Sequence, residues 1–321
     1  MTPETADIPG IPVPQEVQQH LVKPSDPVEA TVVASELCTM SKKAAGFVRH
    51  VAIDVSGTPL EGQFCAGQSF GVVPPGLTEN GRPHKLRLYS ISSPTAGEDG
   101  QGKVLSTSVK RVLDENWDDH TLFSGVCSNY LCDLQVGDKV MVTGPAGKRF
   151  VMPADLAAHD YVFFATGTGI APFRSMLGDL DAAGFPSKVL MIMGAPYTSD
   201  LLYHQWLLDL EERHENMTYL PAISRELNED CGRKLYVQDR IDTHSEVLGP
   251  MLSSDRTLVY VCGIAGMELG IFQRMAQVLE PTKLGAYLQL DPQIADDVAA
   301  WDRKMIPRKI KPTKRMFLEV Y

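Results

Sequence analysis

The sequence contains no run of about 18 or more apolar residues, so nothing in it reads as a transmembrane helix. Residues Met1 to Gln19 lack the basic-then-apolar order of a signal peptide and the Arg/Ser-rich, acid-poor character of a transit peptide. They carry Glu4, Asp7 and several prolines, and read as part of a flexible arm of a cytoplasmic protein. Cysteine is sparse, six in 321 residues, too thin for a secreted disulfide framework. Cys127 and Cys132 have the spacing of two iron–sulfur ligands, but the next required position is Gln135. No cluster of the chain's own, and no metal site, is therefore expected. Basic charge is also short: 30 Lys and Arg against 40 Asp and Glu leave a net charge of −10, which argues against nucleic-acid binding.

What is present suggests two domains, because single cores rarely grow past about 250–300 residues. From Glu29 to Thr143, short β-like runs alternate with Gly, Pro and Asn: Ala30–Ala34, Phe47–Val55, Gln68–Val73, Lys85–Ile91, Val104–Val109 and Lys139–Thr143. That spacing predicts an antiparallel barrel or sandwich. After about Pro153 the texture changes. Tyr161–Ala165, Val189–Gly194, Met217–Ile223 and Leu258–Cys262 read as buried parallel strands. Pro172–Ala183, Leu201–Arg213, Lys234–Ile241 and Gly266–Leu279 read as helices between them. This alternation predicts a doubly wound α/β sheet. The expected division is an arm over 1–27, a barrel over 28–155 and an α/β domain over 156–321.

Several segments suit ligands. In Tyr161–Phe173 an apolar strand runs into Thr166-Gly167-Thr168-Gly169, and Pro172 suits a first helical turn. Bare backbone and a helix N-terminus together favour a phosphate, although this is not the GxGxxG pattern. Ser224 and Arg225 end a predicted strand, with Lys234 and Tyr236 following; hydroxyl, cations and phenol of this kind suit a 2′-phosphate and an adenine. Cys262-Gly263 ends another strand at a ligand-facing end. In Lys85–Ser93, Arg87 and Tyr89 alternate with Leu88, so a pyrophosphate and a ring could meet one strand face, with Ser90 on the other. Gly125-Val126-Cys127-Ser128 offers backbone donors at a turn. Taken singly, the segments other than Tyr161–Phe173 are explained as well by a polar loop or a plain core strand.

Taken together and in order, these segments resemble plant-type ferredoxin–NADP reductase. RLYS at Arg87–Ser90 and GVCSNYLCDL at Gly125–Leu134 resemble its flavin motifs. ATGTGIAPFR at Ala165–Arg174, SRE at Ser224–Glu226, CGIAGME at Cys262–Glu268 and the final Glu319-Val320-Tyr321 resemble its nucleotide and nicotinamide segments. The resemblance implies an antiparallel FAD barrel followed by an NADP-binding α/β domain. It implies FAD held by Arg87, Leu88, Tyr89, Ser90, Ser108, Lys110, Gly125, Val126, Cys127 and Ser128. Thr166 and Gly167 would lie between the cofactors. Ala195, Pro196, Ser224, Arg225, Lys234 and Tyr236 would bind NADP(H). Ser90, Cys262 with Gly263, and Glu319 would shape the nicotinamide pocket. Tyr321 would stack on the flavin and yield to nicotinamide, since a terminal residue moves at little backbone cost.

The implied activity is exchange of hydride with NADP(H) and of single electrons with ferredoxin or flavodoxin, in a monomer. A reductase component of an oxygenase and a non-catalytic scaffold are the alternatives. The sequence departs from the family in its Pro-rich arm. It also has Met316-Phe317 where a tryptophan is usual, and a basic stretch from Arg303 to Arg315 broken by Pro307 and Pro312. Lys85, Lys110 and that stretch are the expected basic face for an acidic partner.

Overall fold

The computed structural model describes residues 12–39 and 46–321. Its first sheet has six strands in the order Arg87–Ser90, Ser69–Val73, Lys139–Ala146, Val28–Leu37, Val48–Asp54, Val104–Lys110, paired antiparallel throughout. The two outer strands approach each other: Thr107 Oγ1 donates to the Ser90 carbonyl at 2.8 Å, and the Ser92 N–H donates to the Ser106 carbonyl at 2.8 Å. The sheet therefore curls into the expected barrel. Val32, Val51, Ile53, Phe70, Val72 and Val142 fill it, each fully buried and each contributing about 1.5–3 kcal/mol. Residues 12–22 lie along its wall. The Val22 and Gly144 backbones exchange hydrogen bonds at 2.9 Å, and Gln68 Nε2 donates to the Gln18 carbonyl at 2.8 Å.

The second sheet has five parallel strands in the order Met217–Ile223, Val189–Ala195, Asp160–Thr166, Thr257–Gly263, Met316–Val320. The strand Val189–Ala195 is buried at every position, as a sheet covered by helices on both faces requires. Helix Ile170–Ala182 packs with Phe173, Met176, Leu177 and Leu180, at i, i+3, i+4 and i+7. From Asp160–Thr166 the chain first builds outward on one side and then crosses to Thr257–Gly263 on the other. The crevice at the carboxyl ends of these two strands is where an open α/β sheet binds ligands.

Three segments depart from the sequence expectation. Lys234–Ile241 is not one helix: Lys234–Tyr236 is irregular, a 3-10 turn covers Val237–Asp239, and a short helix covers Arg240–Thr243. The Leu235 N–H bonds the Ile223 carbonyl and the Tyr236 N–H bonds Asp239, so this stretch serves the end of the neighbouring strand and a cap instead. A helix at Ser245–Ser253 carries Gly249 and Pro250, which disguise it. Gly125–Ser128, expected as a turn, instead opens the helix Val126–Asp133, which buries Cys127, Leu131 and Cys132 against the barrel.

Helix Ile170–Ala182 joins the two halves. Ser175 Oγ donates to the Ser93 carbonyl, Thr95 Oγ1 donates to Asp179 at 2.6 Å, and Arg174 reaches the Ser92 carbonyl at 2.8 Å.

Candidate active site

The site is built on the crevice between strands Asp160–Thr166 and Thr257–Gly263. Gly263 has φ of 145°, and a Cβ there would fall 2.1 Å from Thr166 Oγ1. Only glycine permits that approach. With the space open, Thr166 Oγ1 accepts from the Ile264 N–H at 2.9 Å. The loop so fixed holds Tyr321: the Tyr321 N–H donates to the Gly263 carbonyl at 3.1 Å, and the Ala265 N–H donates to the Tyr321 carbonyl at 2.9 Å. The Tyr321 hydroxyl lies 2.9 Å from Thr168 Oγ1.

Two cavities meet at this point. The first, of about 1090 Å³, lies between the barrel and the second sheet. From the barrel, Arg87, Leu88, Tyr89, Ser90, Ser108 and Lys110 line it, with Lys85 at its edge. Gly125, Val126, Cys127 and Ser128 line it from the start of their helix, and Thr168, Glu319 and Tyr321 from the other side. No side chain caps that helix, so its first-turn N–H groups are free to meet an anion beside Arg87. Tyr89 packs its ring on Phe70 at 6.4 Å and meets the Cys127 thiol; burial pushes both groups' pKa values up, so both stay protonated. Ser128 is partly engaged already, accepting from the Val112 N–H at 3.3 Å.

The second cavity, of about 660 Å³, is lined by Thr166, Gly167, Ala195, Pro196, Ser224 and Tyr236, and shares Lys110, Thr168 and Tyr321 with the first. The Ser224 and Arg225 N–H groups bond the Ala195 and Pro196 carbonyls at 3.0 and 2.9 Å, which aligns the two strand ends. Arg225 and Lys234 are exposed and flank this cavity without forming its wall. Glu226 accepts from both the N–H and the hydroxyl of Thr198, at 2.8 and 2.9 Å, so its carboxylate is committed elsewhere.

Cys262 and Gly263 sit behind the cavities. Cys262 is fully buried and pairs with Glu319 across the parallel ladder. Burial, then the Glu319 carboxyl, hold its thiol well above the usual range, so it is no nucleophile at neutral pH. Burial raises Glu319 itself to about 7, and its Oε2 has no hydrogen-bond partner among the described residues. An orphaned buried carboxyl at a cavity wall is positioned for a ligand. Among the described residues no cluster suits a metal ion.

The residues present fit a dinucleotide cofactor in the first cavity: an uncapped helix start beside Arg87, an apolar wall at Leu88 and Tyr89, and room at the top of the usual range for ligand pockets. Thr168 lies within ATGTGIAPFR but the family resemblance assigns it no role, and no motif marks Tyr203, His50 or Glu98.

The family model described as "Oxidoreductase NAD-binding domain" matches residues 163–272. The cyanelle ferredoxin–NADP reductase of Cyanophora paradoxa is 36% identical, over 95% of this chain and 80% of its own length. The chloroplastic leaf isozyme 1 of Arabidopsis thaliana is 37% identical, over 84% of this chain and 77% of its own. In fold, the ferredoxin–NADP+ reductase of Plasmodium falciparum matches with a TM-score of 0.68 at 22% identity, over 94% of this chain and 99% of that one. Given relatives this similar over most of this chain and most of their own length, the chain belongs to the ferredoxin–NADP reductase family.

Proposed function

We propose that the first cavity holds FAD and the second the NADP(H) nucleotide, and that electrons cross where the two meet at Tyr321. The chain is an FAD-dependent ferredoxin–NADP reductase. FAD supplies the chemistry, accepting a hydride and releasing single electrons. The residues supply binding and alignment. Arg87 and the start of helix Val126–Asp133 neutralise the pyrophosphate. Tyr89 flanks the ring system. Ser224, Arg225 and Lys234 meet the 2′-phosphate, and Tyr236 the adenine. Ser90, Cys262 and Glu319 shape the nicotinamide end, and Tyr321 covers it until NADP(H) enters. The single observation that carries this reading is the sharing of Thr168 and Tyr321 by both cavities, which supports contact between the end of one ligand and the end of the other.

The partner side rests on charge. Lys148, Arg149 and Lys314 line a third cavity of about 910 Å³ that shares Leu318 with the first. With Lys85 on the first cavity, they offer basic charge suited to an acidic ferredoxin or flavodoxin. Not all of the basic stretch is available. Arg303 pairs with buried Glu268 at 2.9 Å, and Arg315 is buried against the Ser254 and Thr257 carbonyls. Among the described residues no helix is long and apolar enough to cross a membrane. A monomer in the cytoplasm remains our proposal; relatives include chloroplastic and cyanelle proteins.

The test is a visible spectrum followed by titration with NADPH. Flavin bands without iron–sulfur features, bleached by NADPH and restored by oxidised ferredoxin, are expected. Colourless protein that takes up no FAD would overturn the proposal.

A further inference from the structure

We propose that Tyr203 is a positioning residue for this reaction, holding the barrel strand Val104–Lys110 against the nucleotide-binding half through a hydrogen-bond relay of fixed direction. Tyr203 lines neither of the two main cavities. It stands at the start of helix His204–Arg213 with φ of 56° and ψ of 25°, the left-handed region that a bulky residue seldom adopts. That backbone turns its phenol across the seam between the two halves. There the hydroxyl lies 2.6 Å from Ser108 Oγ and 2.9 Å from His50 Nδ1, both on barrel strands. The Arg174 guanidinium covers the ring at 5.0 Å.

The direction of the relay follows from its far end. Glu98 accepts from Ser106 Oγ at 2.5 Å and from Arg174, with Nη2 at 3.1 Å. Burial alone would raise its pKa, but Arg174, Ser106 and His50 outweigh that and keep it ionised. The carboxylate faces His50 Nε2 at 3.5 Å and has no proton to give, so Nε2 carries the ring proton. Burial, with Arg174 adding to it, lowers His50 to about 4, so the ring is neutral at pH 7 and Nδ1 is an acceptor. Tyr203 therefore donates to His50, and Ser108 must donate to Tyr203. The Ser108 hydroxyl has one proton, now directed at the seam. Its oxygen is left as an acceptor on a residue that lines the FAD cavity, and two positions on Lys110 lines both cavities. The relay thus orients one group at the FAD site and sets the strand that spans the junction.

This inference rests on the assignment of FAD to the first cavity. The test compares flavin-loaded wild type with Tyr203→Phe, which keeps the ring and the backbone and removes one hydroxyl. Losing a hydrogen bond of this kind should weaken FAD about fivefold, measured by flavin fluorescence on dissociation, and shift the flavin absorption maximum. Turnover should fall while the KM for NADPH stays within about twofold, because neither Tyr203 nor Ser108 lines the second cavity. Ser108→Ala should change the spectrum in the same sense. The double variant should be no worse than the worse single one, since both cut the same chain. Should Tyr203→Phe fail to fold, His50→Leu, which removes the acceptor beyond Tyr203, must produce the same spectral and affinity changes. Tyr203→Phe matching wild type in spectrum and FAD affinity, or effects that simply add, would overturn the relay. Wild-type protein that binds no flavin would overturn the functional reading as well, so the two failures are told apart.

Discussion

Thr168 Oγ1 and the Tyr321 hydroxyl lie 2.9 Å apart at the junction of the two cavities, and both residues line both cavities. The Tyr321 backbone is not loose: its N–H and carbonyl are both bound by the loop 263–265. The sequence expectation that this residue moves as a free chain end therefore needs refining. For nicotinamide to take its place the ring would have to turn about its own side-chain bonds, which would break the bond to Thr168.

Thr168→Val keeps the shape of the side chain and removes that bond. A net hydrogen bond contributes about 0.5–1.5 kcal/mol, so the KM for NADPH should fall about two- to tenfold. Tyr321→Phe should act in the same direction. Steady-state kinetics with ferricyanide as acceptor measure this. An unchanged KM in both variants would show that nicotinamide entry does not require this bond to break.

Glu319 gives a pH prediction. Its carboxyl rises from an ordinary 4.5 to about 7 because it is buried. The folded state then holds a proton that the unfolded state has lost between those two values. Stability from this group is fully present below about 4.5 and is lost as pH rises through about 7. At about 1.4 kcal/mol per unit, the loss amounts to about 2–4 kcal/mol. Glu319→Gln cannot ionise and should lose less stability between pH 5 and pH 8. Denaturant midpoints at the two pH values, at equal flavin loading, measure it. Parallel pH profiles for the two proteins would refute the burial argument.

Arg225 is exposed beside Ser224, and the carboxylate of the next residue, Glu226, is held by Thr198. Removing a charge-assisted partner costs about 1.5–3 kcal/mol, so Arg225→Ala should raise the KM for NADPH about tenfold or more. NADH lacks the 2′-phosphate and should be little affected. Equal losses for both nucleotides would mean that Arg225 does not read the phosphate.

Much of this was legible in the sequence, for identifiable reasons. Strands buried on both faces, such as Val189–Ala195, announce themselves as continuous apolar runs. The ligand loops sit at strand ends and carry glycine where backbone must approach backbone, as at Gly263. The helix Ser245–Ser253 was hidden because Gly249 and Pro250 mimic a loop. Lys234–Tyr236 looked helical by composition, but its N–H groups answer to Ile223 and Asp239. Tyr203 was invisible for a different reason. Its partners His50 and Ser108 are 153 and 95 positions away, and no local pattern encodes such a meeting.

The basic residues near the end of the chain and around the third cavity divide into two classes, and substitutions should separate them. Arg315 is buried, donates to the Ser254 and Thr257 carbonyls, and stacks on Tyr287 at 5.2 Å. Arg315→Ala would leave two carbonyls without a partner and a hole beside the ring, so about 2–4 kcal/mol of stability should be lost. Lys314, Lys148 and Arg149 are exposed around the third cavity and form no ion pair among the described residues. Rim charges act mainly on association rate. They are screened beyond about 8–10 Å at physiological ionic strength. Reversing these three to Glu should leave the melting temperature nearly unchanged. Electron transfer to ferredoxin should slow, most at low salt. NADPH oxidation by ferricyanide, which needs no docking face, should barely change. If both activities fell together in the triple variant, these charges would be supporting Phe317 and Leu318, and through them Tyr321, and the partner would land elsewhere.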